Sequence, residues 1–195
     1  MTTTEPGPTA PGSGSPVTVV VDPPLTEGLH DEIVELWVRV TNAGGAVGFV
    51  RPTSPAIVRP VAEKALARVA GGPDTFVALV GDDGRLLAWC ILEDVGSGLR
   101  RHWRTVVRVM VDPDLQGGGL GRTLLDAVHR VAREHLGLDA LMLQVRGGTG
   151  IEEFYRRNGY EVVGRLPGAI RLGAGDDRDE IVMWRRLGDP RTDRR

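Results

Sequence analysis

The stretch RVMVDPDLQGGGLGRTLL, residues 108–125, decides how this chain is read. A β-branched run ends at Val111, Asp112-Pro113 turns the chain, and Gln116-Gly117-Gly118-Gly119-Leu120-Gly121-Arg122 leads into a helix. That helix runs from Leu120 to Leu136, with Leu124, Val128 and Val131 on its inward face. Strand, glycine turn and helix start aim unpaired backbone N–H groups at one spot, where the helix dipole adds about half a positive charge. Bare glycines let a phosphate approach the main chain, so the segment reads as an anion site. A Walker loop would need Lys and then Ser or Thr after its last glycine, but Arg122 follows here. The dinucleotide fingerprint GxGxxG fails as well, because position 124 is Leu. Gln-x-x-Gly-x-Gly remains, filled by Gln116, Gly119 and Gly121.

Working outward, Val17 to Val21 reads as a first strand. Thr26 caps a helix from Glu27 to Thr41 that turns Leu29, Ile33, Leu36, Trp37 and Val40 inward. After the loop NAGGAVGFVRPTS, a second helix is predicted from Pro60 to Ala70 with Val61, Leu66 and Val69 inward. Thr75 to Val80 and Arg85 to Leu92, joined by Gly81-Asp82-Asp83-Gly84, form a hairpin. A long strand follows at Arg104 to Val111. Beyond the glycine-led helix come a strand at Ala140 to Val145, a short helix at Ile151 to Asn158, and strands at Tyr160 to Val163 and Asp179 to Arg186. The fold class is α/β (α+β), a mixed sheet of six to seven strands with helices on its faces. The crossover helix makes the strands on either side of it parallel neighbours.

Residues 1–16, nearly all Thr, Pro, Gly and Ser with almost nothing apolar, read as a disordered tail. Residues 17–187 form one domain and 188–195 a frayed end. The segment after Met1 lacks the basic and apolar regions of a secretory signal, so the cytoplasm is the expected compartment. No apolar run reaches the ~20 residues needed to cross a bilayer. The net charge of -2 argues against nucleic acid as a partner. Cys90, the single cysteine, lies in the apolar run RLLAWCIL and reads as a buried structural thiol. No disulfide or cysteine metal site is expected, nor any other metal.

With these motifs in hand, the sequence resembles the GNAT superfamily of N-acetyltransferases, whose acetyl-CoA loop reads Arg/Gln-x-x-Gly-x-Gly/Ala. A second block, EEFYRRNGYEVVG at 152–164, looks like that family's short helix and following strand, with Tyr155, Gly159 and Tyr160 in the matching places. The resemblance extends to the tabtoxin-resistance-like branch through GAVGFVRPTS (45–54), RRHWRTVVRVMVDP around His102 and GRLPGAIRLGAGDDRDE (164–180). It covers about Val17 to Leu187. It implies a mostly antiparallel sheet whose one parallel strand pair splays apart to hold acetyl-CoA, an acetyl transfer to a primary amine, and the possibility of a homodimer.

The resemblance also distributes roles. Main-chain amides of Gln116, Gly117, Gly118, Gly119, Leu120, Gly121 and Arg122 would hold the pyrophosphate, and Val109, Met110 and Val111 would pair with the pantetheine and polarise the thioester carbonyl. Tyr155 is the candidate acid for the leaving thiolate. A phenol of pKa ~10 facing a thiol of ~8.5 makes that transfer uphill by only about 2 kcal/mol. Deprotonating a lysine-like amine of pKa ~10.4 at pH 7 costs about 4.6 kcal/mol, and an amine near ~8 about 1.4 kcal/mol, so a base matters more for the former. His102 is the candidate base, with Glu93 and Asp94 as alternatives, because Thr105 stands where relatives often carry a carboxylate. Phe49 and Glu93 are candidate acceptor contacts, the 44–49 loop acting as a lid. His129 and His135 read as surface residues. The acceptor is a small amine or amino-acid-like metabolite; a protein N-terminus or lysine, and a non-catalytic acetyl-CoA sensor, stay open as alternatives.

Overall fold

A computed structural model describes residues 16–96 and 98–188 of the chain. The expected tails at 1–16 and 188–195 therefore fall, apart from Pro16 and Gly188, outside the described residues. The elements are β1 (Val17–Val21), α1 (Glu27–Asn42), α2 (Pro55–Ala70), β2 (Thr75–Gly81), β3 (Leu86–Glu93), β4 (Trp103–Val111), α3 (Leu120–Arg130), β5 (Ala140–Arg146), α4 (Ile151–Arg157), β6 (Glu161–Gly173) and β7 (Asp176–Arg186). One sheet holds all seven strands in the order β1-β2-β3-β4-β5-β7-β6. Every neighbouring pair is antiparallel except β4–β5, the pair joined through α3. A glycine-led helix between two strands imposes that crossover.

Strand β3 shows why the sheet needs helices on both faces. Its run is buried residue after residue, and the alternation of the pleat divides it. Trp89 and Ile91 pack with α1 and α2 through Trp37, Ile33, Val58 and Leu66. Cys90 and Leu92 pack with α3 through Leu124, Leu125 and Val128, a cluster that also takes in Tyr155 of α4. Burial pushes the Cys90 thiol up, so it stays a protonated, inert core group.

Three expectations are corrected. Helix α2 begins at Pro55, behind Ser54, and not at Pro60. A proline suits the first helical position because its missing N–H is unpaired there anyway, so Pro55 is the true start signal and Pro60 sits one turn inside. The frame follows: Val58, Ala62, Ala65, Leu66 and Val69 are buried, and Val61 is exposed. Strand β6 does not stop at Val163 but runs to Gly173, and β7 starts at Asp176. The Pro167-Gly168 step that suggests a loop sits inside a register shift between Leu166 and Ile170 on an edge strand, where a missing N–H costs no ladder bond. His129 is not a surface residue. It lies against Tyr160, Nε2 to Oη 3.2 Å, and burial, with Arg185 nearby, lowers its pKa to about 3.

Candidate active site

Two irregularities in β4 open a cleft. Between Trp89↔Met110 and Ile91↔Val107, β3 advances two positions while β4 advances three, so β4 carries a bulge. Arg108 sits in it with φ +56°, left-handed backbone that a non-glycine residue adopts only where its surroundings impose it. On its other edge β4 pairs with β5 only through Trp103↔Ala140, Arg104↔Leu141 and Thr105↔Met142. Beyond Thr105 the two strands part, while β5 stays bonded to β7 as far as Arg146↔Glu180. A cleft of about 1150 Å³ fills the gap and continues over the α1–α2 side of the sheet.

The glycine segment closes one end of this cleft. Gly117 and Gly119 have φ +83° and +88°, and a side chain on either would project into open space. Among the described residues no backbone carbonyl accepts from the N–H groups of residues 117–122, and Thr123 is the first to bond back, to Gly119 O at 3.0 Å. A row of free donors at a helix start fits the diphosphate of a CoA thioester. Gly121 does a different job: a Cβ there would stand 3.2 Å from the Phe154 ring, so its bareness lets α4 pack under the start of α3. Gln116 braces the loop, its Nε2 donating to Val111 O at 3.3 Å.

Asp112 was read only as a turn residue, and the structure gives it more. Its carboxylate is fully buried and accepts from Arg39 of α1 (Nη1 to Oδ2, 3.1 Å), from Arg85 of the β2–β3 turn and from the N–H of Asp114 at 3.1 Å. These bonds tie the root of the glycine segment to the sheet and to α1. The sequence signal was weak, since Asp-Pro is common turn chemistry and its partners are remote.

Of the predicted cofactor contacts, Val109, Val111, Gln116, Gly117, Gly119, Leu120, Gly121 and Arg122 line the cleft. Met110 instead points into the α1–α2 core and Gly118 lies outside the lining. Arg122 keeps its side chain mostly in solvent near Asp126. Tyr155 reaches the cleft from α4, 7% exposed, with its ring edge-on to Phe154 and Tyr160. Burial raises its pKa, so the phenol holds its proton at any physiological pH.

The α1–α2 side of the cleft is built from other segments. Asn42 clasps Thr53 in both directions, Nδ2 to Thr53 O at 3.1 Å and Thr53 N to Oδ1 at 2.9 Å, which closes the 42–54 loop. Trp37 Nε1 donates to Val47 O at 2.8 Å and its ring meets Phe49 edge-on at 5.4 Å. Glu93 and Thr105 are directly paired across β3–β4, so their side chains share this face. The carboxylate missing at Thr105 is thus present one strand away. Glu93 Oε1 accepts from Arg108 Nη1 at 2.9 Å, and the Arg108 guanidinium lies 5.3 Å from the Trp37 ring centre. Neither Trp37 nor Arg108 was foreseen as a site residue; nothing in the local sequence marks a bulge.

His102 stands apart. It is exposed, precedes β4 at the end where β4 and β5 remain paired, and does not line the cleft. Asp94 is outside it too, held by Arg104 at 2.8 Å. Among the described residues no cluster of His, Cys, Asp and Glu is placed to hold a metal ion, and no helix is long and apolar enough to cross a membrane.

The acetyltransferase (GNAT) domain family matches residues 73–162, from the start of β2 to the start of β6. Solved structures share the whole fold. A protein described as a phosphinothricin N-acetyltransferase is 20% identical over 88% of this chain and 100% of its own, with a TM-score of 0.70. The ribosomal-protein-S18-alanine N-acetyltransferase of Escherichia coli is 21% identical over 88% and 94%, TM-score 0.65. The spermidine/spermine N-acetyltransferase of Vibrio cholerae is 15% identical over 92% and 97%, TM-score 0.66. A splayed β4–β5 pair and a glycine-led α3 agree with these matches: residues 73–162 are similar to the acetyltransferase (GNAT) domain, and the chain has the fold of these solved structures.

Proposed function

We propose that the protein moves the acetyl group of acetyl-CoA to a primary amine of a small metabolite or amino-acid-like compound by direct attack. The observation that carries this is the cleft itself, with free main-chain donors at one end and, at the other, a pocket under the clasped 42–54 loop that holds the Glu93 carboxylate. Acetyl-CoA supplies the acyl group as a thioester. Residues 117–122 hold its diphosphate through backbone N–H groups, and the β5-facing edge of β4 beyond Thr105 offers N–H donors to the pantetheine and the acyl oxygen. The amine nitrogen bonds to the acyl carbon as the carbon–sulfur bond breaks. Glu93 takes the proton lost by the amine, and Tyr155 gives its proton to the departing thiolate.

Glu93 takes the base role in preference to His102 because it lines the cleft beside the point where β4 and β5 part, and His102 does not. The clasped 42–54 loop favours a small acceptor over a peptide, which would need an open groove. An acyl donor drawn from central metabolism makes the cytoplasm the natural compartment.

Calorimetry with acetyl-CoA followed by a thiol-release assay over an amine library tests the reading. The expected result is binding and turnover, with Tyr155→Phe lowering kcat about 100-fold, the lower end of the usual contribution of a positioned acid. Binding without thiol release from any amine would overturn the transfer, and no binding at millimolar acetyl-CoA would overturn the site.

A further inference from the structure

The acceptor half of the cleft is apolar along its α1, α2 and loop walls, with Gln144, Arg146 and Glu180 on the β5–β7 side and one contacting charge pair on β3–β4. Trp37, Val47, Phe49, Val61 and Val107 face it, and Glu93 and Arg108 supply opposite charges in contact with each other. As a stabilising ion pair this is poorly placed. The side chains are 33% and 22% exposed, where a pair contributes little, and Arg108 occupies strained left-handed backbone at φ +56°. The strain does have a consequence: it aims a guanidinium across the cleft beside Glu93, stacked over Trp37. Among the described residues only the Nη1 of Arg108 is engaged by an acceptor, so the rest of its planar fork is available.

We propose that Glu93 and Arg108 read a zwitterion: the acceptor's ammonium docks on Glu93 while an anionic group on the adjacent carbon docks on Arg108, making α-amino acids and their close analogues the substrate class. This rests on the reading of the α1–α2 side as the acceptor pocket. The spacing supports it. A carboxylate oxygen and a guanidinium nitrogen 2.9 Å apart match a ligand whose two charges sit on neighbouring carbons, not one whose charges are spread along a chain. The sign supports it as well. A polyamine would bring further positive charge against Arg108 and gain nothing there. The register adds a reason for the orientation. Glu93 lies directly opposite Thr105, the last residue before β4 and β5 separate, so an ammonium on Glu93 lies beside the open edge of β4. Phe49, Val61 and Val107 are then left to surround the amino acid's side chain, which favours apolar or neutral ones.

The test compares the full chain on the twenty L-amino acids and phosphinothricin with the same amines lacking the carboxylate or phosphinate, and with spermidine. The wild type is expected to favour at least one anion-bearing amine over its anion-free counterpart by 10- to 100-fold in kcat/KM. Arg108→Gln is expected to collapse that ratio, through KM more than kcat, and Arg108→Lys to restore part of it. A wild type that uses anion-free amines or spermidine equally well or better overturns the proposal, as does an Arg108→Gln variant whose ratio is unchanged. Thermal melts check that the variants fold; if Arg108→Gln does not, the wild-type ratio and Arg108→Lys decide. Calorimetry on the wild type separates two failures. Acetyl-CoA binding with the wrong amine preference sinks the zwitterion alone, and absence of binding sinks the acetyltransferase reading beneath it.

Discussion

The two halves of the cleft are made on opposite principles. The cofactor half is main chain: one continuous segment, residues 109–122, in which side chains matter chiefly by being absent. The acceptor half is side chain: Trp37 from α1, Phe49 from the α1–α2 loop, Glu93 from β3 and Thr105 and Arg108 from β4, gathered from across the chain. Backbone N–H groups bind any pyrophosphate alike, so under the proposed function the first half would specify a common donor. The second half could change residue by residue without disturbing it, and selectivity would reside there.

This contrast can be broken at its strongest point first. Gly119→Val places a β-branched residue at φ +88° and a side chain in the cradle, so acetyl-CoA affinity is expected to fall at least 100-fold, about 2.8 kcal/mol, by calorimetry. Near-normal affinity in that variant would show that the loop does not hold the diphosphate. Asp112→Asn comes next. It weakens the brace under the loop, and since Arg39 and Arg85 are 40% and 48% exposed and can turn to water, the expected loss is about 1–3 kcal/mol in denaturant unfolding, with a raised KM for acetyl-CoA. A raised KM for the amine instead would put the brace in the wrong half.

The third measurement concerns the core behind Tyr155. His129 is neutral in the fold, with its pKa lowered to about 3, whereas an unfolded imidazole takes a proton below about 6.5. Its contribution to stability is therefore fully present above about pH 6.5 and drains away as pH falls toward 3, by at most about 1.4 kcal/mol per pH unit. His129→Gln keeps a partner for Tyr160 and is expected to flatten that part of the pH profile relative to wild type. Parallel profiles would mean that the imidazole is solvated. The smallest effect is expected from Phe49→Ala, which removes an edge contact with Trp37 worth about 0.5–1.5 kcal/mol. The acceptor KM should rise two- to tenfold while acetyl-CoA affinity holds; a matching loss of acetyl-CoA affinity would erase the boundary between the halves.

Legibility followed the same division. The Gln116–Gly121 spacing, the Tyr155–Tyr160 block, the β2–β3 hairpin and the parallel β4–β5 pair were readable because each depends on residues close together in the chain. The start of α2 was misplaced because two prolines, Pro55 and Pro60, both offered a start signal, and only the packing of Val58 and Ala62 against the sheet chooses between them. The length of β6 was hidden by Pro167-Gly168, which an edge strand tolerates.

By itself, the sequence determined the order of elements, the crossover that makes β4 and β5 parallel and the glycine cradle beyond β4, since periodicity, glycine placement and helix starts are local properties. Tertiary structure alone decided that β4 bulges at Arg108, that Asp112 is clamped by two distant arginines, that His129 is half-buried against Tyr160 and that Glu93 faces Thr105 across the sheet. These depend on which strand lies beside which and in what register, and a charge meets its partner only after the chain has closed loops of many residues.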